Sequence, residues 1–188
     1  MHKGELWQAY SLSGIPLKDG GYDSALDNPS MGSDFAVGAV DVWLYRRTKN
    51  GIEVLFQHRS EFVHNANKWD ISAAGHMNYG ETITEAAIRE AREEIGIEIK
   101  ESDLRYLFSL YGMQRSLINN YFICDWTGRG DDFHFDDREV SEVKWVPLSE
   151  FTSFIDKNAK EPLRVAKTAM ELSKIYLEKI GGNYKSPR

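Results

Sequence analysis

The 188-residue chain has a single cysteine, Cys124, which excludes an internal disulfide and a cysteine-built zinc cluster. A reducing, cytoplasmic setting is the expectation. Long apolar runs are absent as well. No stretch approaches the roughly 20 residues a membrane-spanning helix needs, and the opening "MHKGELWQAY" lacks the basic start and apolar core of a signal peptide. Positive charge is scarce, with 23 Lys and Arg against 29 Asp and Glu and a net charge of −6. No basic cluster is long enough to neutralise a run of backbone phosphates, so neither a polymeric nucleic acid nor a membrane is an expected partner. A small phosphorylated ligand remains compatible, because a divalent cation can supply the charge that the protein lacks. Repeats, low-complexity tracts and a convincing interdomain linker are also missing.

What is present suits one medium-sized globular domain. Residues 1–34 carry the breakers "SGIP", "KDGG" and "DNPSMG" and are expected to form an arm with one or two short strands, packed on the domain. The main domain is placed at 35–155. "FAVGAVDVWLYRR" and "IEVLFQHRS", separated by the turn signal "TKNG", read as paired strands, and "KWDISAAG" as a third short strand stopping at Gly75. A helix is expected from about Glu81 to Ile95, capped by Gly96. The strands "LRYLFSLYGM" and "NNYFICDWTG", around the link "QRSLINN", and then "SEVKWVPL" follow. Residues 156–188 form a helical extension: after a helix following Pro147, a last one begins at Pro162, stops at Gly181-Gly182 and carries the stripe Leu163, Ala166, Met170, Leu177 and Ile180. It is expected to cover the sheet, with a homodimer contact as its alternative role. This order gives the fold class α/β (α+β), a mixed β-sheet covered on both faces.

The segment "REAREEIG" poses the chemical question. Glu90, Glu93 and Glu94 stand at i, i+3 and i+4, so three carboxylates share one side of a helix. Two readings compete. A solvated acidic face, steadied by Arg89 four residues after Glu85, costs only about 0.2–0.5 kcal/mol per like-charged pair. Projection at about 100° per residue, however, puts Glu90 and Glu94 on the small-residue stripe of Ile83, Ala86 and Ala87, the face suited to close packing. Two carboxylates about 6 Å apart in such a crevice repel by about 3 kcal/mol at an effective dielectric near 20. A bound divalent cation removes that repulsion, and magnesium in particular bridges carboxylates to phosphates through oxygen ligands.

From Gly75 the chain reads "GHMNYGETITEAAIREAREEIGI", which spaces Gly75, Glu81, Arg89, Glu90, Glu93, Glu94 and Gly96 as G-x5-E-x7-R-E-U-x-E-E-x-G-U. This resembles the signature of the Nudix hydrolase family, with Ala91 standing where the family prefers Leu, Ile or Val. The box covers 23 residues, and a looser likeness extends over about Phe35 to Phe154. The resemblance implies an α/β/α sandwich and cleavage of a phosphoanhydride bond in a nucleoside diphosphate linked to another group, with Mg²⁺ or Mn²⁺ as cofactor. Carried over by position, Glu90 and Glu94 are metal ligands, the Gly75 carbonyl faces the metal, and Glu93 is a third ligand or the base. Glu81 and Arg89 pair to hold the loop on the helix. Glu139 is the candidate for an additional carboxylate at the end of the acidic loop, ahead of Glu142. Arg59 is the candidate for a phosphate contact, against a surface strand end; Trp69 and His76 are candidates to edge the pocket.

Trp43, Trp126 and Trp145 are expected in the core, Cys124 as a buried inert thiol, and His58, His64 and His134 lack ligand spacing. "LFQHRS" through "KWDISAAGH" also resembles the branch related to isopentenyl diphosphate isomerase. That chemistry uses a cysteine near "KWDISAAG", where this chain has none. A nucleotide-sensing module is the third reading; such modules usually lose box glutamates, and none is missing here. Gly112 stands fifteen residues past Ile97, where ADP-ribose hydrolases have a proline, and Arg115 lies near the position of a tyrosine in dinucleoside polyphosphate hydrolases, so neither substrate class is assigned.

Overall fold

The computed structural model describes residues 5–23, 26, 33–63, 66–112, 116–135, 138–158 and 167–181. Its centre is β3 (Phe35–Thr48), a strand buried on both faces and correspondingly apolar almost throughout. Val40, Val42 and Leu44 point to one face, while Trp43 and Tyr45 point to the other, as strand alternation requires. A two-residue turn after Thr48 leads to β4 (Gly51–Arg59), antiparallel to the C-terminal end of β3. On its other side β3 runs parallel to β8 (Leu117–Asp125), which pairs with β7 (Leu104–Gly112). β9 (Val140–Pro147) pairs antiparallel with β4. The expected strand at "NNYFICDWTG" therefore begins two residues earlier, at Leu117, because the parallel ladder with β3 already holds that residue.

Residues 1–34 contribute β1 (Leu6–Ser11) and β2 (Pro16–Asp23), and β1 hydrogen-bonds directly to β3. The arm thus extends the sheet. The expected single strand at "KWDISAAG" is instead two strands with different partners. β5 (Trp69–Asp70) pairs with β4, whereas β6 (Ala73–His76) pairs with β3. Ser72 makes the switch. Past the Tyr45↔Val54 pair the ladder between β3 and β4 stops, and the Ser72 hydroxyl takes its place. It accepts from Leu44 N at 2.8 Å and donates to Leu55 O at 2.7 Å. From there β3 and β4 diverge, leaving a split into which a helix can reach.

That helix is α1 (Ile83–Ile95). Thr82, outside its first turn, caps it: the hydroxyl accepts from Glu85 N, and the Glu85 carboxylate accepts from Thr82 N, a reciprocal capping box. Glu81 consequently lies before the helix. Gly96 ends α1 at φ 68°, where an L side chain is strained, and His134 packs so closely that a Cβ would come within 2.6 Å of its carbonyl. α1 covers one face of the sheet over the core of Val40, Val42, Leu44, Leu55 and Ala73. The other face is covered by α2 (Phe151–Asn158) and α3 (Lys167–Gly181), which bury Phe151, Ile155, Ala169, Met170 and Leu177 around Trp43 and Phe56. The last helix does cover the sheet; Pro162, Leu163, Ala166 and Gly182 of its expected span lie outside the described residues. Trp43 and Trp126 are buried, and Trp145 is half-buried beneath the Arg46 guanidinium at 4.3 Å. Burial pushes the Cys124 thiol up to about 12, which keeps it protonated and unreactive. Among the described residues no helix is long and apolar enough to cross a membrane.

The Ser72 bridge makes a stability prediction. Ser72→Ala leaves Leu44 N–H and Leu55 C=O buried without that partner, which costs about 1–3 kcal/mol. Urea unfolding of the variant is expected to show a lowered midpoint with an unchanged slope.

Candidate active site

Glu94 enters the split between the diverging strands. It is 2% exposed, and its Oε2 accepts from two directions: Ala74 N on β6 at 2.7 Å and Gln57 Nε2 on β4 at 2.9 Å. One donor is fixed by the backbone of one strand and the other by a side chain of its neighbour, so the carboxylate is aimed by the sheet itself. Glu90, one helical turn earlier, is also buried. Its carboxylate lies directly over Gly75, and a Cβ at that position would overlap it. The backbone φ of Gly75 is ordinary, so close approach is what requires glycine there. The two glutamates therefore do continue the alanine stripe into the protein. Glu93 does not: its side chain is 43% exposed.

Arg89 ties these groups together. Nε and Nη2 hold the two Glu81 oxygens, each at 2.9 Å; Nη1 donates to Glu90 Oε1 at 2.7 Å and Glu93 Oε2 at 3.0 Å; and Nη2 reaches His76 O at 2.8 Å. Burial lowers the guanidinium's pKa, but the Glu81 hydrogen bonds and the Glu90 charge outweigh it and hold the group above its ordinary value. Glu81 also accepts from Asn78 N at 2.8 Å. The pair is part-buried and joins helix, loop and strand, unlike an exposed surface ion pair.

The loop between β6 and α1 is held from its other side by the N-terminal arm, a contact absent from the motif reading. Gln8 N donates to Met77 O, Tyr79 N to Leu6 O, and Gly80 N to Gln8 Oε1 at 3.1 Å. The Trp7 ring stacks on His76, with centroids 3.7 Å apart and planes 6° apart. The His76 ring is thus taken up by the arm, while its carbonyl accepts from Arg89. The arm's contribution was hidden because the pairing spans about 70 residues of chain and leaves no local spacing signal.

Trp69 is not brought to this site. Strand alternation sends it to the opposite face, where it packs edge-on against His58 and against Phe154 of α2. Its neighbour Asp70 takes the α1 side instead, fully buried, with Arg59 Nη1 3.8 Å from its Oδ2. Arg59 is therefore buried beside Asp70 and is not a surface strand end. Glu139 is half-buried just before β9, and its carbonyl is anchored by Ser60 N at 2.9 Å. Glu142 is exposed on β9. His134 has its N–H on Ile95 O, and His64 lies outside the described residues.

As placed, no three His, Cys, Asp or Glu side chains among the described residues form a metal-ligand cluster, and Arg89 supplies the charge facing Glu90. The donor set nevertheless suits a hard cation. Glu90 and Glu94 are all-oxygen donors, buried on one helix face, with the side-chain-free Gly75 beneath one of them.

A mixed sheet thus lies between helices, and the helix that follows the loop from Gly75 carries two buried glutamates. The chain belongs to the Nudix family: residues 36–167 match the model of the NUDIX domain. It is 31% identical over 130 residues to Nudix hydrolase 3 of Arabidopsis thaliana, covering 63% of this chain and 17% of that protein. It is 40% identical over 65 residues to an isopentenyl-diphosphate Delta-isomerase of Photobacterium profundum, covering 34% of this chain and 36% of that one. It spans well under half the length of either relative. DR0079 from Deinococcus radiodurans shares the fold, with a TM-score of 0.67 at 19% identity over 93% of this chain and 99% of that one.

Two outcomes test this construction. Gly75→Ala is expected to cost about 1–3 kcal/mol through overpacking. Most of that loss should vanish when Glu90→Ala is already present, a coupling that a double-mutant cycle of unfolding free energies measures. Trp7→Ala should speed hydrogen exchange at the Gln8, Tyr79 and Gly80 amides while leaving the α1 amides protected.

Proposed function

We propose that the protein hydrolyses a phosphoanhydride bond in a nucleoside diphosphate linked to another group, with Mg²⁺ or Mn²⁺ as cofactor. The observation that carries this reading is the burial of Glu90 and Glu94 on the sheet-facing side of α1, within an intact Gly75–Glu81–Arg89–Glu90–Glu93–Glu94 constellation. Such burial is costly for a merely solvated acidic face and useful for holding a cation.

Glu90 and Glu94, with the Gly75 carbonyl, would hold the ion. When bound, a divalent cation polarises phosphate oxygens and lowers the pKa of a coordinated water. The chain's own residues do the rest. Ala74 N and Gln57 keep the Glu94 carboxylate in one orientation. Arg89 and Glu81 keep the His76 carbonyl, and with it the loop, against the helix. Water oxygen forms the new bond to phosphorus, the bridging P–O bond breaks, and the water proton passes to a carboxylate. Glu93 is the first candidate to accept it, because it lies next to the buried pair yet touches solvent. Glu139 is the second. Arg59 is the candidate for binding a phosphate oxygen.

The likeness to the isomerase is a reason to weigh double-bond isomerisation. The only cysteine lies on β8, fully buried with its thiol held protonated, and the "KWDISAAG" segment has none. Hydrolysis is therefore favoured over it.

A panel of nucleoside diphosphate derivatives, assayed for monophosphate release with magnesium, manganese or chelator, tests the proposal. Release should require metal and fall about a hundredfold or more in Glu90→Gln and in Glu94→Gln. Unchanged rates in both variants would overturn the ligand assignment. Formation of the allylic isomer from isopentenyl diphosphate, without hydrolysis of any panel member, would reverse the choice of reaction.

A further inference from the structure

Gln57 lies outside the motif, and only one half of its amide has a task in the proposed chemistry. It is completely buried, on the α1 side of β4, paired across the sheet with Asp70. Half of its amide is accounted for: Nε2 donates to Glu94 Oε2 at 2.9 Å. The other half is not. Its Oε1 is buried and has no hydrogen-bond partner among the described residues. Buried polar atoms without a partner are rare in folded proteins, and each calls for a specific explanation. A hydrophobic residue of similar size would fill the same space, and Ala74 N already anchors Glu94. Donation from Nε2 alone leaves Oε1 buried without a partner, a cost that a donor at Oε1 removes.

The amide direction is set by chemistry. Glu94 as a carboxylate only accepts, so the NH₂ must face it and the carbonyl takes the other position of the amide. That acceptor belongs to a side chain in direct contact with Glu94, and a water on an ion held by Glu94 is the class of donor that suits it. Magnesium keeps several of its waters when bound by proteins, and these need acceptors in the surrounding shell. We propose that Gln57 is a positioning residue of the metal site, which orients Glu94 through Nε2 and receives a hydrogen bond from a cation-bound water at Oε1. This rests on the metal-holding role given to Glu94 above. The alternative source of a donor is a hydroxyl of the substrate, which carries the same O–H chemistry but is absent when metal is bound alone.

The test is Mn²⁺ binding to the full chain without substrate, followed by the electron paramagnetic resonance signal of free Mn²⁺. Wild type, Gln57→Leu, Gln57→Glu and Glu94→Gln are compared, with thermal melts in chelator and in Mn²⁺. Gln57→Leu removes both halves of the amide and is expected to weaken Mn²⁺ binding about 10–100-fold, the range for lost outer-shell partners. Gln57→Glu keeps an acceptor but adds a third carboxylate. It should melt lower than wild type in chelator and gain more than wild type on adding Mn²⁺.

Wild-type Mn²⁺ affinity in Gln57→Leu, with Glu94→Gln impaired, overturns the role of Gln57 and leaves the metal reading standing. Full affinity in Glu94→Gln overturns both. If Gln57→Leu does not fold, Gln57→Glu decides: a lowered melting temperature that Mn²⁺ does not recover beyond the wild-type gain is a purely structural role and ends the proposal. Weakened nucleotide binding in Gln57→Leu at unchanged Mn²⁺ affinity also overturns it, in favour of the substrate hydroxyl.

Discussion

The constraint on which the site depends is the burial of two carboxylates of α1 in a split of the sheet. An unpaired charge taken from water costs several kcal/mol, so Glu90 and Glu94 can be inside only because specific donors meet them. Glu94 is met by Ala74 N and Gln57, and Glu90 by Arg89. Each donor exists because of a choice made elsewhere in the chain. Ala74 N is turned inward because β6 left β4 for β3. Gln57 is within reach because β4 continues toward β9 at the same place. The Ser72 hydroxyl between Leu44 and Leu55 makes that divergence tolerable by satisfying the backbone groups it separates.

The same reasoning explains why small residues dominate the contact. Ala86, Ala87 and Ala91 are fully buried on α1, and Gly75 lies under the Glu90 carboxylate. Larger side chains would hold the helix away from the sheet and leave both glutamates in water, where Arg89 alone would form an ordinary surface network. Ala91, the departure from the family pattern, lies fully buried in the core with Val40, Leu55 and Phe122. Its cost is a thinner apolar contact; the charged positions are untouched by it.

How much of this was legible in the sequence depended on whether the determinant was local. The carboxylates' inward face followed from 3.6-residue periodicity, and the structure buries the glutamates that periodicity selected. The capping box at "TITE" was equally local, and reading it would have begun the helix after Thr82. Trp69 adjoins the box in sequence, but alternation decides its face: with Gln57 facing α1, its partner Asp70 faces α1 too and Trp69 cannot. The two-strand nature of "KWDISAAG" and the Trp7–His76 stack were not legible. Both arise from pairings with distant strands, and nothing in eight consecutive letters says that a strand changes partner halfway.

Within the proposed function, the three box glutamates differ in how firmly they are held, and that difference suits different tasks. A group that must keep a cation in register benefits from donors on rigid strands, and Glu94 has them on two. A group that must take up and release a proton needs solvent contact and a partner that can move. Glu93 has both, being exposed and held by the long side chain of Arg89. Arg89 in turn shares itself between Glu90 and Glu93 through a single nitrogen, Nη1. A cation held at Glu90 would compete with that nitrogen for the same carboxylate. Occupancy at Glu90 would then be linked to the pairing of the candidate base Glu93 through the one guanidinium that both share.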